Sequence, residues 1–206
     1  MNILIDLLPI KVEIEGIEYD INSDFRTSML FELMMSDNEL DDMQKIEQAL
    51  ILYYPAYHIM LDNPDGFNIN LAMDQLLWFY RCGKDMAASI GNGKGKSNQI
   101  YDFNFDDDYI YSAFLDQYSI DLQDVDLHWW KFKAMFKSLK EDNEIVKIMG
   151  YRSIDLNKIK DKEQKIQYKK MKELYKIKGQ VSKNETEKLD MIQEALLNGG
   201  DLSKLL

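Results

Sequence analysis

Asp124, Asp126 and His128 alternate with apolar residues, and Asp106-Asp107-Asp108 lies shortly before them. The sharpest chemistry this pattern offers is a carboxylate-rich divalent-metal site of the kind that supports phosphoryl transfer. The spacing argues against it. On a helix, residues two apart diverge by about 200° and cannot chelate one ion together. Three aspartates at a helix start, in contrast, sit where the positive end of the helix dipole favours negative charge, so they read as caps. His58 follows an aromatic run and reads as a surface or core-edge residue. Cys82, the sole cysteine, has no histidine at motif spacing to activate it as a nucleophile. Gly91 to Asn98 holds three glycines within five residues, yet it lacks the P-loop spacing and no apolar strand precedes it. Neither a hydrolase elbow, a zinc pair nor a dinucleotide fingerprint occurs. The expectation is a non-enzymatic protein with no catalytic residues, no metal site and no cofactor.

The stretch that would position most of these residues runs from Ile100 to Arg152 and centres on Asp126-Leu127-His128-Trp129-Trp130-Lys131-Phe132, with two of the three tryptophans. Trp129, Phe132, Phe136 and Leu139 recur at helical spacing, and Leu127, Trp130 and Ala134 form an adjoining stripe. So wide an apolar face predicts a helix at the centre of a core, packed on more than one side.

Ahead of it, Ile10-Lys11-Val12-Glu13-Ile14 and Ile17-Glu18-Tyr19-Asp20-Ile21 alternate apolar and polar residues around Glu15-Gly16, which predicts a β-hairpin. Asn22, Ser23 and Asp24 offer caps to a helix reaching Met35, its buried face marked by Phe25, Met29 and Leu33. A second helix is expected from Glu39 to Tyr54, stopped by Pro55. After a turn at Asn63-Pro64-Asp65-Gly66, a third starts near Asn70, with Met73, Leu76, Leu77 and Tyr80 on one face. Asp106 caps a helix carrying Tyr109, Tyr111, Ala113, Phe114 and Leu115. Gly150 marks a break after Ile145 to Met149. A basic helix follows, with Tyr168, Met171, Leu174 and Tyr175 as its apolar stripe and Lys169, Lys170, Lys172 and Lys176 turned elsewhere. Asn184-Glu185-Thr186-Glu187 makes a capping box for a last helix. The fold class is mainly α (α+β), an N-terminal β-hairpin packed on helices followed by a helical C-terminal half. The expected division is residues 1–90, a linker or loop at 91–99, a Trp-Trp region at 100–178 and a variable helix at 179–206.

With 206 residues, 46% of them hydrophobic, the chain can build a sizeable core. A single cysteine fits a reducing compartment. No basic region precedes Ile3 to Leu8, and the longest apolar run, Ala49 to Tyr57, is far short of a bilayer span; a soluble intracellular protein is expected, without membrane contact. The net charge of −11 is uneven: residues 1–126 carry −17 and residues 127–206 carry +6. An acidic front half repels a phosphate backbone, so nucleic acid is not an expected ligand, whereas a basic protein partner is attracted. The lysines of the back half are interleaved with acids, as on a solvated helix face.

Several blocks together carry a resemblance. Asp24-Phe25-Arg26-Thr27, Leu77-Trp78-Phe79-Tyr80-Arg81-Cys82-Gly83, Asp107-Asp108-Tyr109-Ile110-Tyr111, Leu127-His128-Trp129-Trp130-Lys131-Phe132, Ile148-Met149-Gly150-Tyr151-Arg152 and Lys158-Ile159-Lys160-Asp161-Lys162-Glu163-Gln164 resemble the bacteriophage gene-product-fifteen family. The likeness extends from the N-terminus to about Tyr175. It implies a protein of long-tailed phages and prophages of Gram-positive bacteria, encoded beside the tape-measure gene and present in the host cytoplasm. Proteins so encoded commonly act as tail assembly chaperones that keep the tape-measure protein soluble and are absent from the finished virion; the warrant is analogy of family and gene position. The tail tube protein and self-association are further contacts such a role allows. A structural tail component retained in the virion is the other reading in the same setting. Because large aromatics and arginine dominate binding energy where accessible, Trp78, Tyr80, Trp130 and Tyr151, with Arg152, are the candidate partner-binding residues.

Overall fold

A computed structural model of the chain describes residues 1–62, 68–84 and 99–177. Its elements are β1 (Lys11–Ile14), β2 (Ile17–Asp20), α1 (Phe25–Ser36), α2 (Asp42–Tyr53), α3 (Tyr57–Leu61), α4 (Ile69–Tyr80), α5 (Asp107–Tyr118), α6 (Trp129–Lys137), α7 (Glu144–Ser153) and α8 (Lys162–Leu174). The mainly helical α+β class with an N-terminal hairpin is therefore observed. The turn at Asn63 to Gly66, the segment at Gly91 to Asn98 and the last helix lie outside the described residues.

The chain divides into two compact units. One comprises Met1–Asn98 with Asp106–Lys147, the other Gln99–Phe105 with Ile148–Leu206. This differs from a division in sequence order at residues 90 and 100, because the apolar face of α6 packs on α1, and α6 thus belongs with the hairpin and its helices.

In the first unit the hairpin closes on Glu15 and Gly16, both at positive φ (53° and 80°), as a two-residue primed turn requires. Its register pairs Lys11 with Asp20, Val12 with Tyr19, Glu13 with Glu18 and Ile14 with Ile17. Val12 and Ile14 enter the core, against α4. Asp24 caps α1 by accepting from the Arg26 N–H at 2.8 Å. Asp41 and Gln44 form a reciprocal capping box on α2. Two adjacent tyrosines of α2 and its end are buried with satisfied hydroxyls. Tyr53 shares a 2.7 Å hydrogen bond with the Ser28 hydroxyl, and Tyr54 donates to the Ala72 carbonyl at 2.7 Å. Burial pushes both phenols well above their ordinary pKa.

Several helix faces are rotated from the sequence expectation. In α1 the buried residues are Phe25, Thr27, Ser28, Phe31 and Met34, while Met29 and Leu33 are half-buried; a satisfied Ser28–Tyr53 pair lets a hydroxyl occupy the core face. In α4 the buried set is Ala72, Leu76 and Phe79, with Met73, Leu77 and Tyr80 at its margins. Pro55 ends α2 as expected, but the chain turns straight into the short α3. Ala134 is exposed, and Leu127 and Leu139 flank α6 rather than lie on it, so the adjoining stripe reduces to Trp130.

The helix α7, which belongs to the second unit from Ile148 onward, continues through Gly150 instead of breaking there. A methyl group at Gly150 would meet nothing within 4 Å, so the glycine is conformationally costly but sterically irrelevant. On α8, Leu174 is exposed, against expectation. Lys172 is not turned away: its ammonium donates to the Ile154 carbonyl at 2.9 Å, just past the end of α7, where a cation complements the helix dipole. Within the same unit the Lys158 to Gln164 block supplies Asp161, which caps α8 by accepting from the Gln164 N–H at 2.8 Å.

Candidate functional site

The helix start at His128 gathers most of the residues singled out above. Ser23 to Phe25 and Leu127 to Trp129 lie side by side as an isolated antiparallel bridge between Asp24 and His128. The Trp129 N–H donates to the Ser23 carbonyl at 2.8 Å and the Phe25 N–H to the Leu127 carbonyl at 3.0 Å. Two helices, α1 and α6, therefore start from one hydrogen-bonded junction. His128 is the N-cap of α6. Its Nδ1 accepts the Trp130 N–H at 3.1 Å, which makes it the unprotonated nitrogen, and Nε2–H donates to the Pro9 carbonyl at 3.0 Å. Burial lowers the His128 pKa, the Pro9 carbonyl partly opposes this, and Lys131 adds to it.

Arg26 fixes the segment leading into that cap. Its guanidinium donates to the carbonyls of Leu122 (2.6 Å), Gln123 (3.2 Å) and Val125 (3.3 Å) and pairs with Asp24 at 3.1 Å. It also lies 4.5 Å from the centre of the Phe25 ring. The flat, five-donor group suits three carbonyls as a lysine could not.

From the cap, α6 sends both indoles to one place. Trp129 Nε1 donates to the Tyr80 carbonyl at 2.8 Å and Trp130 Nε1 to the Phe79 carbonyl at 2.7 Å. These are among the last carbonyls of α4, beyond the reach of its regular i to i+4 ladder; the Phe79 carbonyl also accepts the Cys82 N–H at 2.9 Å. The chain leaves α4 through two left-handed residues, Cys82 (φ 59°) and Gly83 (φ 67°). A Cβ on Gly83 would lie 2.9 Å from Cη2 of Trp130. Beneath the indoles Phe132 stacks on Phe25 (5.1 Å), Phe114 (4.8 Å), Trp129 (5.8 Å) and Phe136 (5.9 Å), all within 14° of parallel.

Lys133, which the sequence reading passed over, sits beside this stack. Its ammonium is 4.6 Å from the ring centres of both Tyr80 and Trp129 and 3.8 Å from Glu32. Glu32 in turn accepts the Tyr80 hydroxyl. Burial lowers the Lys133 pKa and Glu32 opposes the shift. Its signal in the sequence is slight, a lysine four residues after Trp129 on a short helix that also carries Lys131 and Lys137. Cys82 is half-buried and its thiol pKa is raised by burial, although Lys133, Lys137 and Lys84 oppose that; the group is held as a thiol.

The candidate metal residues separate. Asp124 and Asp126 are exposed, residues 125–127 form no helix, and both nitrogens of His128 are already engaged. Among the described residues no group of three or more His, Cys, Asp and Glu side chains is placed to hold a metal ion. Asp107 and Asp108 occupy the first turn of α5, and Asp108 accepts the Tyr109 N–H at 2.8 Å. Asp106 holds the N-cap position of that helix but makes no side-chain cap bond there. His58 is exposed in the short α3, one residue after its start.

The five candidate partner-binding residues fall into two groups. Trp130 and Arg152 are buried, at 3% and 6% exposure, and each is used by the fold. Trp78, Tyr80 and Tyr151 are half-buried. In the first unit Trp78 meets Trp130 edge to face at 5.6 Å. In the second, Arg152 donates to the carbonyls of Tyr175 (2.6 Å) and Ile100 (3.1 Å), and Tyr151 stacks on Tyr175 at 5.9 Å. Among the described residues the most exposed large aliphatics are instead in the N-terminal arm: Leu4 at 89%, Ile5 at 80% and Leu7 at 93%. Asn2 holds a single turn there, accepting the Leu4 N–H at 3.0 Å and giving its carbonyl to the Ile5 and Asp6 N–H groups.

A helix-rich α+β protein, its first unit built round an aromatic stack, is the class this geometry defines. Its particular family comes from comparison: the bacteriophage Gp15 protein family model matches residues 4–177, well over half of the chain, and the protein belongs to that family. Comparison with curated proteins found no match, and comparison with solved structures found none either. The matched span takes in the junction at His128, the Arg26 clamp and the exposed arm from Leu4.

Proposed function

We propose that the protein is a tail assembly chaperone that binds the tape-measure protein of its own phage, without catalysis, in the cytoplasm of the infected or lysogenic host. The observation that carries the reading is family membership over residues 4–177. Two physical features support it. The arm presents Leu4, Ile5 and Leu7 to solvent next to an acidic hairpin, and exposed aliphatics of this kind suit the apolar face of an amphipathic partner. The −17 charge of residues 1–126 attracts a basic one. Trp78, Tyr80 and Tyr151 keep enough accessible ring to add contacts, whereas Trp130 and Arg152 act by holding the elements behind them.

Co-expression tests the proposal. The tape-measure protein is expected to move from the insoluble to the soluble fraction when this chain is present and to co-purify with it at low salt. Equal insolubility with and without the chain, and no recovered complex, would refute it. Mass spectrometry of purified virions separates a chaperone, which is absent from the particle, from a structural tail component, which is retained.

A further inference from the structure

Among the described residues no strand pairs with the outer side of β2: the sheet has only the strands β1 and β2, and α4 packs on the hairpin chiefly through β1. The Ile21 N–H donates to the Ile10 carbonyl at 2.9 Å. With the observed register, the pairs Ile10–Ile21, Val12–Tyr19 and Ile14–Ile17 are thus the ones that exchange hydrogen bonds. The backbone N–H and C=O groups of Glu18 and Asp20 consequently point away from β1, and both residues are exposed.

From this geometry we propose that the outer edge of β2 takes up an extended, basic segment of a partner protein as a third strand. The side chains bordering the edge state the chemistry of the occupant. On the solvent face Glu18 and Asp20 line it, with Glu13 directly opposite Glu18. Lys11, the one cation there, lies 3.6 Å from Glu18 and 4.0 Å from Asp20, and two like charges opposed across a ladder call for a further cation. On the other face Ile17 is 51% exposed. A strand alternating Lys or Arg with Val or Ile satisfies both faces and the backbone groups at once. A second copy of this chain does not, because pairing two β2 edges sets their acidic residues against each other. The inference rests on the hairpin alone and holds whether or not the tape-measure protein supplies the strand.

A short capped peptide of alternating Lys and Val is the probe, with a Lys–Ser peptide of equal charge as control and amide hydrogen exchange by NMR as the readout. On binding the Lys–Val peptide, the amides of Glu18 and Asp20 are expected to gain at least about tenfold protection, while those of Ile17 and Tyr19 are already protected in the free protein. A Lys–Val peptide N-methylated along one edge, which cannot pair, should lose at least about tenfold in affinity, and so should the protein variant Glu18→Lys. Equal binding of all peptides, binding without protection of Glu18 and Asp20, or no binding would each overturn the proposal and leave the acidic side chains as a guard against edge pairing only.

Discussion

His128 works as an N-cap because it is neutral, and that makes it sensitive to acid. A proton on Nδ1 would face the Trp130 N–H, two donors in one contact, while the ring is also partly desolvated. Its folded pKa lies below the ordinary 6.5. The unfolded chain therefore binds the proton first, and the contribution of His128 to stability is complete above 6.5 and is lost as pH falls from there through the lower folded value. The melting temperature of the protein should fall across that window more steeply than that of His128→Asn, which keeps a capping oxygen but does not titrate. Parallel curves for the two proteins would refute this. Gly83 offers a second test of a single position. Gly83→Ala must adopt a positive φ and displace the Trp130 ring, so it should cost about 2 kcal/mol or more in denaturant unfolding. A smaller loss would mean that the Trp130 ring is not held as described.

The helix α6 joins these residues into one device: a cap at its start, two indoles on the end of α4, and Phe132 stacked on four other rings. Phe132→Ala, at a site with no exposure, should lose about 3 to 5 kcal/mol, a large part of the about 5 to 15 that holds a typical domain together. An unchanged unfolding midpoint would contradict a core role for the stack. Gly150→Ala should go the other way. With no clash in reach and helical backbone on both sides, it should raise stability by about 0.5 to 1 kcal/mol; destabilisation would indicate that the helix does break there. These two helices show what local sequence can and cannot convey. The hairpin and the starts of α1 and α5 are readable because alternation, turn residues and acidic residues at helix starts act over a few positions, whereas α2, expected from Glu39, begins at Asp42 behind the Asp41 cap, and the Asp161 cap of α8 is hidden in a run of alternating charge. The run through Gly150 was not, since tertiary anchoring by Arg152 overrides a weak propensity. Nor could spacing show that Ser23 to Phe25 meets Leu127 to Trp129, a contact across about a hundred residues, or that Arg26 and Lys133 each serve several partners. Their charge marks them as surface residues until the carbonyls and rings round them are known.

For the whole chain, the relevant property is the separation of −17 in residues 1–126 from +6 in residues 127–206. If the protein engages a basic tape-measure segment, long-range attraction should raise the encounter rate, and salt should act on that rate first. Screening shortens from about 10 Å at 0.1 M to about 3 Å at 1 M ionic strength. Apolar contacts made through Leu4, Ile5 and Leu7 are not weakened by salt in this way, so dissociation should respond far less. Stopped-flow or surface-based kinetics with the purified pair should then show an association rate that falls steeply with added salt while the dissociation rate changes little. Replacing Leu4 and Leu7 by Ser should have the opposite signature, faster dissociation with association nearly unchanged. An association rate indifferent to salt would remove the acidic half from the recognition, and a double-serine protein that dissociates like the original would remove the arm.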